Sequence, residues 1–351
     1  MQYSIMFFSA DTGGSDPYRL LKDACAFADR HGFTAVWTPE RHFHDFGGAY
    51  ANPALTSAAL AMITTRLHLR SGSLIAPLHD EVRIAEEWAM VDNLSNGRIG
   101  ISFGSGWNIN DFIFFPDRYA QRHAVMYKQI ETVQRLWRGE PITRRNSADK
   151  DVVVSLFPPP ISPTLPVWIT SSGNLETFRS AGRLGANVLT HLLTQDVATL
   201  QQKIAVYRDA RRQAGFDPAA GLVTLMLHTY VGDDLDEVRR TVKPHFLAYL
   251  RTAFSLEQLA AWGGGTISGG YAVDAEEIGP ELLAELLDVA FDRYFTVASL
   301  MGTVATCREF AARLAAAGVG EVACLLDFGP AREQVLDSLA RVVDVGQLRA
   351  A

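Results

Sequence analysis

The chain predicts an α/β fold of the (β/α)8 barrel (TIM barrel) class, and three observations predict it. Short apolar, β-branched runs alternate with helical patterns almost from end to end, and the alternation repeats eight times. Several of these runs end in imidazole, hydroxyl and glycine residues, where parallel α/β barrels keep their chemistry. With 351 residues and 48% hydrophobic side chains, the chain is long and apolar enough for one such barrel.

Residues 3–8 read as strand one, 17–30 as its helix and 35–37 as strand two. A helix over 53–65, capped by Asn52 and with Pro53 in its first turn, leads to strand three at 67–73. Residues 82–94 are helical before strand four at 99–103, and a helix over 119–137 follows. A polar, proline-rich excursion at 138–163 reads as a hairpin on the rim, before strand five at 166–170. Asn174 caps a helix reaching 182, strand six is 186–190, and a long helix over 194–213 stops at Gly215. Strand seven is 222–230. A helix at 303–317 precedes strand eight at 321–326, and 331–343 is the closing helix. Residues 1–351 thus read as one barrel domain. A glycine-rich insertion over 251–292, between helix seven and strand eight, is a lid candidate above the C-terminal face.

A net charge of −7 and the absence of a Lys/Arg block argue against a nucleic-acid partner. No apolar run approaches the roughly 18 residues needed to span a bilayer, and the N-terminus lacks the pattern of a signal peptide. Cys25, Cys307 and Cys324 are widely spaced and form neither a disulfide framework nor a zinc pattern, which suits a reducing cytoplasm.

The densest chemistry follows strand two, in Glu40-Arg41-His42-Phe43-His44-Asp45. In an isolated loop this is an ion-pair network; at the active face of a barrel it is a candidate site. Gly72-Ser73 ends strand three and Gly104-Ser105-Gly106-Trp107 ends strand four, small residues that let a flat ligand lie against backbone. Gly104-x-Gly106 lacks the rest of a dinucleotide fingerprint. Ser171-Ser172-Gly173-Asn174 opens a helix, an arrangement suited both to a phosphate and to a simple cap, and Arg122 is a candidate cation for the same phosphate. His191 and Asp327 end strands six and eight. With His42-x-His44 they raise a rival reading as a metal-dependent hydrolase, which a pair after strand two rather than strand one argues against.

Several segments carry a family resemblance: Trp37-x-x-Glu40-Arg41-His42-Phe43, Asn52-Pro53, Leu94-Ser95-Asn96-Gly97-Arg98, and Pro166-Val167-Trp168-Ile169 ahead of Ser171-Ser172-Gly173. In that order they resemble the bacterial luciferase-like flavin monooxygenases over nearly the whole chain. Residues 318–329 and 185–192 are similar to the branch associated with nonribosomal peptide and polyketide biosynthesis. The resemblance implies noncovalent FMN, used as FMNH2 from a separate flavin reductase, and oxygenation through a C4a-hydroperoxyflavin. It implies cofactor contacts at Phe8, Gly72, Ser73, Gly104, Ser105, Arg122, Ser171, Ser172 and Gly173, with a cis non-prolyl peptide at Gly72–Ser73. It makes His42 and Arg41 the catalytic pair, and Glu40, His44, Trp107 and His191 substrate contacts. Luciferases carry two histidines after the glutamate, whereas here the first of these positions is Arg41, which argues against light emission. The implied substrate is an amino-acyl, peptidyl or polyketide intermediate, free or carrier-protein-bound, and the implied assembly a homodimer. Two alternatives stand beside it: an F420-dependent hydride-transfer enzyme, and a non-catalytic flavin-binding barrel.

Overall fold

The computed structural model describes residues 1–8, 16–44, 48–193, 195–262 and 280–349. In chain order the elements are β1 (Gln2–Met6), α1 (Arg19–Arg30), β2 (Ala35–Thr38), α2 (Pro53–Ala61), β3 (His68–Ile75), α3 (Glu81–Ser95), β4 (Ile99–Gly104) and α4 (Arg122–Trp137). They continue with β5 (Ile142–Arg145), β6 (Asp151–Val154), β7 (Val167–Thr170), α5 (Leu175–Arg183), β8 (Asn187–His191), α6 (Val197–Gln213) and β9 (Val223–Gly232). The chain then forms α7 (Leu235–Trp262), α8 (Pro280–Val297), β10 (Leu300–Thr303), α9 (Val304–Ala316), β11 (Glu321–Leu325) and α10 (Arg332–Gly346).

Eight parallel strands close in the order β1-β2-β3-β4-β7-β8-β9-β11, with β11 returning to β1. This is the barrel expected from the alternation of apolar runs and helical patterns. Its strands alternate in facing: Tyr3, Ile5 and Phe7 pack outward under the helices, whereas Met6 joins Trp37, Trp168, Leu189, Met226, Ala323 and Leu325 in a separate inner cluster. Low in the lumen, Arg70 and Glu321 pair at 2.9 Å, and the Arg70 guanidinium lies over the Trp37 and Trp168 rings.

The polar excursion after α4 is a two-stranded antiparallel hairpin, β5–β6. Asn52 caps α2 by accepting the N–H groups of Ala54 and Leu55, as its position predicts. That helix ends at Ala61, short of the expected 65, because Asp29 accepts the N–H groups of Thr65, Arg66 and Leu67 and turns the chain into β3. Helix α4 starts at Arg122 rather than 119, since two 3-10 turns precede it.

Two differences concern the region after β9. The insertion expected over 251–292 begins inside α7 and ends inside α8, and its glycine-rich middle, 263–279, lies outside the described residues. The short strand β10 was not anticipated; it pairs with the last residues of β9, Thr229–Gly232, beyond the closed barrel. Helices α7 and α8 pack beside the C-terminal mouth: Phe246 reaches His228 and Phe328, while Tyr294 donates to the Leu193 carbonyl. Among the described residues, no helix is long and apolar enough to cross a membrane.

Candidate active site

Strand β2 delivers Glu40 to the mouth. The Glu40 N–H donates to the Ser73 carbonyl (3.1 Å) and the Arg41 N–H to Tyr50 (2.8 Å), so the backbone after the strand is anchored on both sides. The Glu40 side chain is buried. Its Oε2 accepts the Ile75 N–H at 2.7 Å, and its Oε1 meets two imidazoles, His42 Nε2 at 2.9 Å and His79 Nε2 at 2.6 Å. Burial opposes ionisation of Glu40, but the hydrogen bonds from His42, His79 and the Ile75 amide outweigh it and hold the carboxyl below its ordinary value. Burial likewise opposes charging of His79, yet the bond to Glu40 and its charge prevail and raise that imidazole. Two donors fix His79 from behind: Arg118 (2.6 Å) and Gln129 of α4 (2.7 Å), both to its carbonyl oxygen.

Around this core, the His42 ring meets Phe114 edge-on at 5.4 Å and Phe43 at 5.5 Å. Arg41 lies 4.0 Å from the centre of the Phe8 ring, a cation–π contact. The Arg41 residue is only partly covered, but its charged end is enclosed, and that burial lowers its pKa against the opposing charges of Tyr249, Asp111 and Asp327. Asp111, in the 3-10 turn Ile109–Phe114, is buried and accepts from Asn108 at 2.9 Å. Burial pushes its carboxyl up to about 6, with the charges of His42 and Arg41 acting the other way.

At the ends of β3 and β4 the Gly72–Ser73 peptide is cis, as the resemblance implies, and the register shifts between Gly72 and Leu74. A Cβ at Gly104 would stand 2.8 Å from Ser73 Oγ, so glycine is what leaves room there. Trp107 is tied to Tyr119, whose hydroxyl donates to its carbonyl at 3.3 Å, and Arg122 donates to the Tyr119 carbonyl at 3.0 Å.

At the start of α5, the Gly173 N–H donates to Ser171 Oγ (3.2 Å), Gly173 has φ 113°, and Asn174 caps the helix through the Glu176 N–H. From behind, Thr190 donates to the Ser171 carbonyl (2.8 Å), Gln195 donates to Thr190, and Lys203 of α6 donates to Gln195. The opposite wall is apolar and aromatic. His228 of β9 is 2% exposed and enclosed by Phe246, Tyr249 and Phe328, with burial pushing its pKa to about 3. His191 ends β8 and accepts the Leu193 N–H; burial and the Lys203 charge lower it to about 4.

The structure therefore gathers Glu40, Arg41, His42 and Phe8 at one mouth, with Gly72, Ser73, Gly104 and Ser105 at the neighbouring strand ends and Ser171, Ser172 and Gly173 at a helix start. His44 stands in the loop after β2, beside residues outside the description. His79, Asp111, His228 and Tyr249 are additions that the sequence analysis did not single out. A search for titratable residues just past strands three and four would have found the first two. Among the described residues, no three His, Cys, Asp or Glu side chains cluster as a metal site would require.

Comparison with known proteins gives this arrangement a family. A model described as luciferase-like monooxygenase matches residues 1–321. The chain is 24% identical over 340 residues to the oxygenase component of a flavin-dependent trigonelline monooxygenase from Acinetobacter baylyi, covering 93% of this chain and 88% of that one. Among solved structures, it is similar to the oxygenating constituent of 3,6-diketocamphane monooxygenase from Pseudomonas putida, a type II Baeyer-Villiger enzyme in complex with FMN. Identity there is 17%, TM-score 0.73, and the shares covered are 98% and 96%. An F420-dependent secondary alcohol dehydrogenase shares the fold at TM-score 0.72 and 18% identity, covering 98% and 99%. With the family model spanning all but the last thirty or so residues, the chain belongs to the luciferase-like monooxygenases.

Proposed function

We propose that the chain is the oxygenase of a two-component, FMN-dependent monooxygenase acting on an amino-acyl, peptidyl or polyketide intermediate of secondary metabolism. The observation that carries this reading is the mouth itself: a proton-exchanging cluster on Glu40 beside the bare strand ends at Gly72-Ser73 and Gly104-Ser105. A planar ring fits against those small residues and a phosphate fits the capped, glycine-containing start of α5, so the residues present suit FMN. Reduced FMN, when bound, supplies the electrons that activate O2.

The chain's own residues do the rest. Ser171, Ser172, Gly173 and Arg122 hold the phosphate, while Phe8, Gly72, Ser73, Gly104 and Ser105 hold the ring. His42 moves a proton at its Nδ1, because its Nε2 is engaged by Glu40. Arg41 offers a fixed positive charge to a developing oxyanion. His44, Trp107 and His191 face the substrate, whose uncharged part suits the aromatic wall around His228, whereas Glu40, expected at the substrate, is buried with both oxygens engaged and acts through His42. A separate cytoplasmic flavin reductase supplies FMNH2, in keeping with the oxygenase-component relative. The substrate is free or carrier-bound, and a homodimer suits the apolar side chains exposed on α2 and α3, among them Leu55 and Met90. Residues 1–351 form one barrel domain.

The test is equilibrium titration of the purified protein with FMN and with F420, followed by oxygen uptake with FMNH2 and an acyl substrate. FMN is expected to bind and turnover to follow; preference for F420 would replace this reading with hydride transfer, the alternative that the F420-dependent structure favours. Binding without turnover would indicate a flavin-storing barrel. Ser172→Asp sets charge against the phosphate and is expected to weaken FMN at least about tenfold. Unchanged affinity would put the phosphate elsewhere.

A further inference from the structure

Glu40 shares a single carboxylate oxygen between two imidazoles. An ionised carboxylate only accepts hydrogen bonds, so both Nε2 atoms must carry hydrogen and both rings gain or lose their second proton at Nδ1. The two Nε2–H groups converge on one oxygen, within the sum of two hydrogen-bond lengths of each other. When both rings are protonated, two positive charges lean on one negative charge in a largely buried place.

We propose that His79 is a positioning residue that sets the proton affinity of His42 through the shared Glu40 oxygen. This deepens the proposed function and rests on His42 being its proton-transfer group. A charged His79 satisfies Glu40 and leaves the His42 ring easier to deprotonate; a neutral His79 leaves Glu40 uncompensated, and His42 keeps its proton longer. The two imidazoles then titrate as a pair, in macroscopic steps belonging to both.

The surroundings agree with this division. His79 is faced by Glu40 after β2, Glu87 of α3 and Arg118 ahead of α4, and the bond and charge of Glu40 carry it toward the protonated form. His42 is faced by Glu40 and by Asp111, with Arg41 also acting on Asp111. The Arg118 and Gln129 bonds to its carbonyl fix the His79 main chain, and the ring itself is bonded to Glu40. Removing the imidazole charge while keeping a donor separates a structural role from an electrostatic one. His79→Gln does this, because its amide N–H donates to Glu40 but carries no proton that titrates.

The experiment follows the histidine ring nitrogens of the flavin-free protein by 15N NMR across pH, with no substrate. In the wild type, the two rings on Glu40 should titrate in steps separated by about one pH unit or more, for charges this close at an effective dielectric constant of about 20. In His79→Gln a single step should remain, lying above the lower wild-type step. The pH–rate profile for oxygenation should move to higher pH by a similar amount, while thermal stability and FMN affinity stay close to wild type.

Independent steps in the wild type would overturn the proposal even if no variant folds. So would a His79→Gln protein with an unmoved profile, which would reduce His79 to a structural prop. Coupled titration together with full oxygenation by His42→Ala would overturn it differently, by removing the proton-transfer reading on which it rests. Loss of oxygenation in His42→Ala with uncoupled titration would leave that reading standing and sink the coupling alone.

Discussion

Among the described residues two glutamates are buried, one low in the lumen and one at the mouth, and their partners differ in kind. Glu321 opens β11 and receives Arg70 on both oxygens (3.1 and 2.9 Å), the Trp37 indole N–H (3.1 Å) and the Thr224 hydroxyl (3.3 Å). Arg70 is in turn stacked on Trp37 and Trp168. None of these partners releases a proton near neutrality. Glu40 is as thoroughly hydrogen-bonded, but two of its three partners are imidazoles, which do titrate there. Burial is common to both glutamates; the partner decides whether the site is a strut or a proton exchanger.

The sharpest way to break that comparison is at the mouth. His42→Ala should lower substrate oxygenation by about 100- to 10,000-fold, with more H2O2 released, while fold and FMN binding survive. An equal loss of coupling in His44→Ala would show that the loop, not the Glu40 cluster, does the chemistry. In the lumen the expected loss is of stability instead. Arg70→Met leaves Glu321 buried without its cation and should cost about 3–5 kcal/mol in chemical denaturation. Arg70→Met with Glu321→Leu should recover most of it, since a well-packed apolar pair avoids the desolvation cost. If the single variant is as stable as wild type, the lumen pair is no strut.

A third carboxylate sharpens the comparison by a smaller effect. Asp111 ionises near its ordinary 3.8 when unfolded and near about 6 in the fold. Between those values the native state holds the extra proton, so stability falls as pH rises through this window and stays lower above it. Asp111→Asn removes that penalty. Near pH 8 the variant should be about 1–3 kcal/mol more stable than wild type, and near pH 4 the two should match. Thermal melts at both pH values check this. A variant less stable at pH 8 would mean that ionised Asp111 is held by Arg41 and His42 more strongly than burial opposes it.

How much of this was legible in the sequence depended on the range of the interaction. Asn52 and Asn174 cap their helices through backbone groups two or three residues away, and both were readable. The eight barrel strands were readable because each is a local apolar run. The hairpin β5–β6 was readable as a polar, proline-rich interruption. Strand β10 was not, because Leu-Met-Gly-Thr is too short to show a period and becomes a strand only by pairing with β9. The reach of α7 to Trp262, past the expected start of the insertion at 251, was obscured by the glycine-rich stretch that begins at Gly263. At the site, Glu40-Arg41-His42 is contiguous and stood out, whereas His79 lies 39 residues from the carboxylate it serves. Asp111 passes for a surface residue until the fold buries it against Arg41 and His42.

The Phe8 amide donates to both oxygens of Asp327, 319 residues further along. This clasp sits just past β1 and β11, whose pairing runs from Gln2–Glu321 to Met6–Leu325. During synthesis the free edge of β1, with Tyr3, Ile5 and Phe7 beside it, waits for a partner that emerges more than three hundred residues later. Bringing such distant segments together is slow, and until they meet β1, paired with β2 on one side, presents an unpaired edge on the other. The interval between them is when that edge is most open to pairing with another chain.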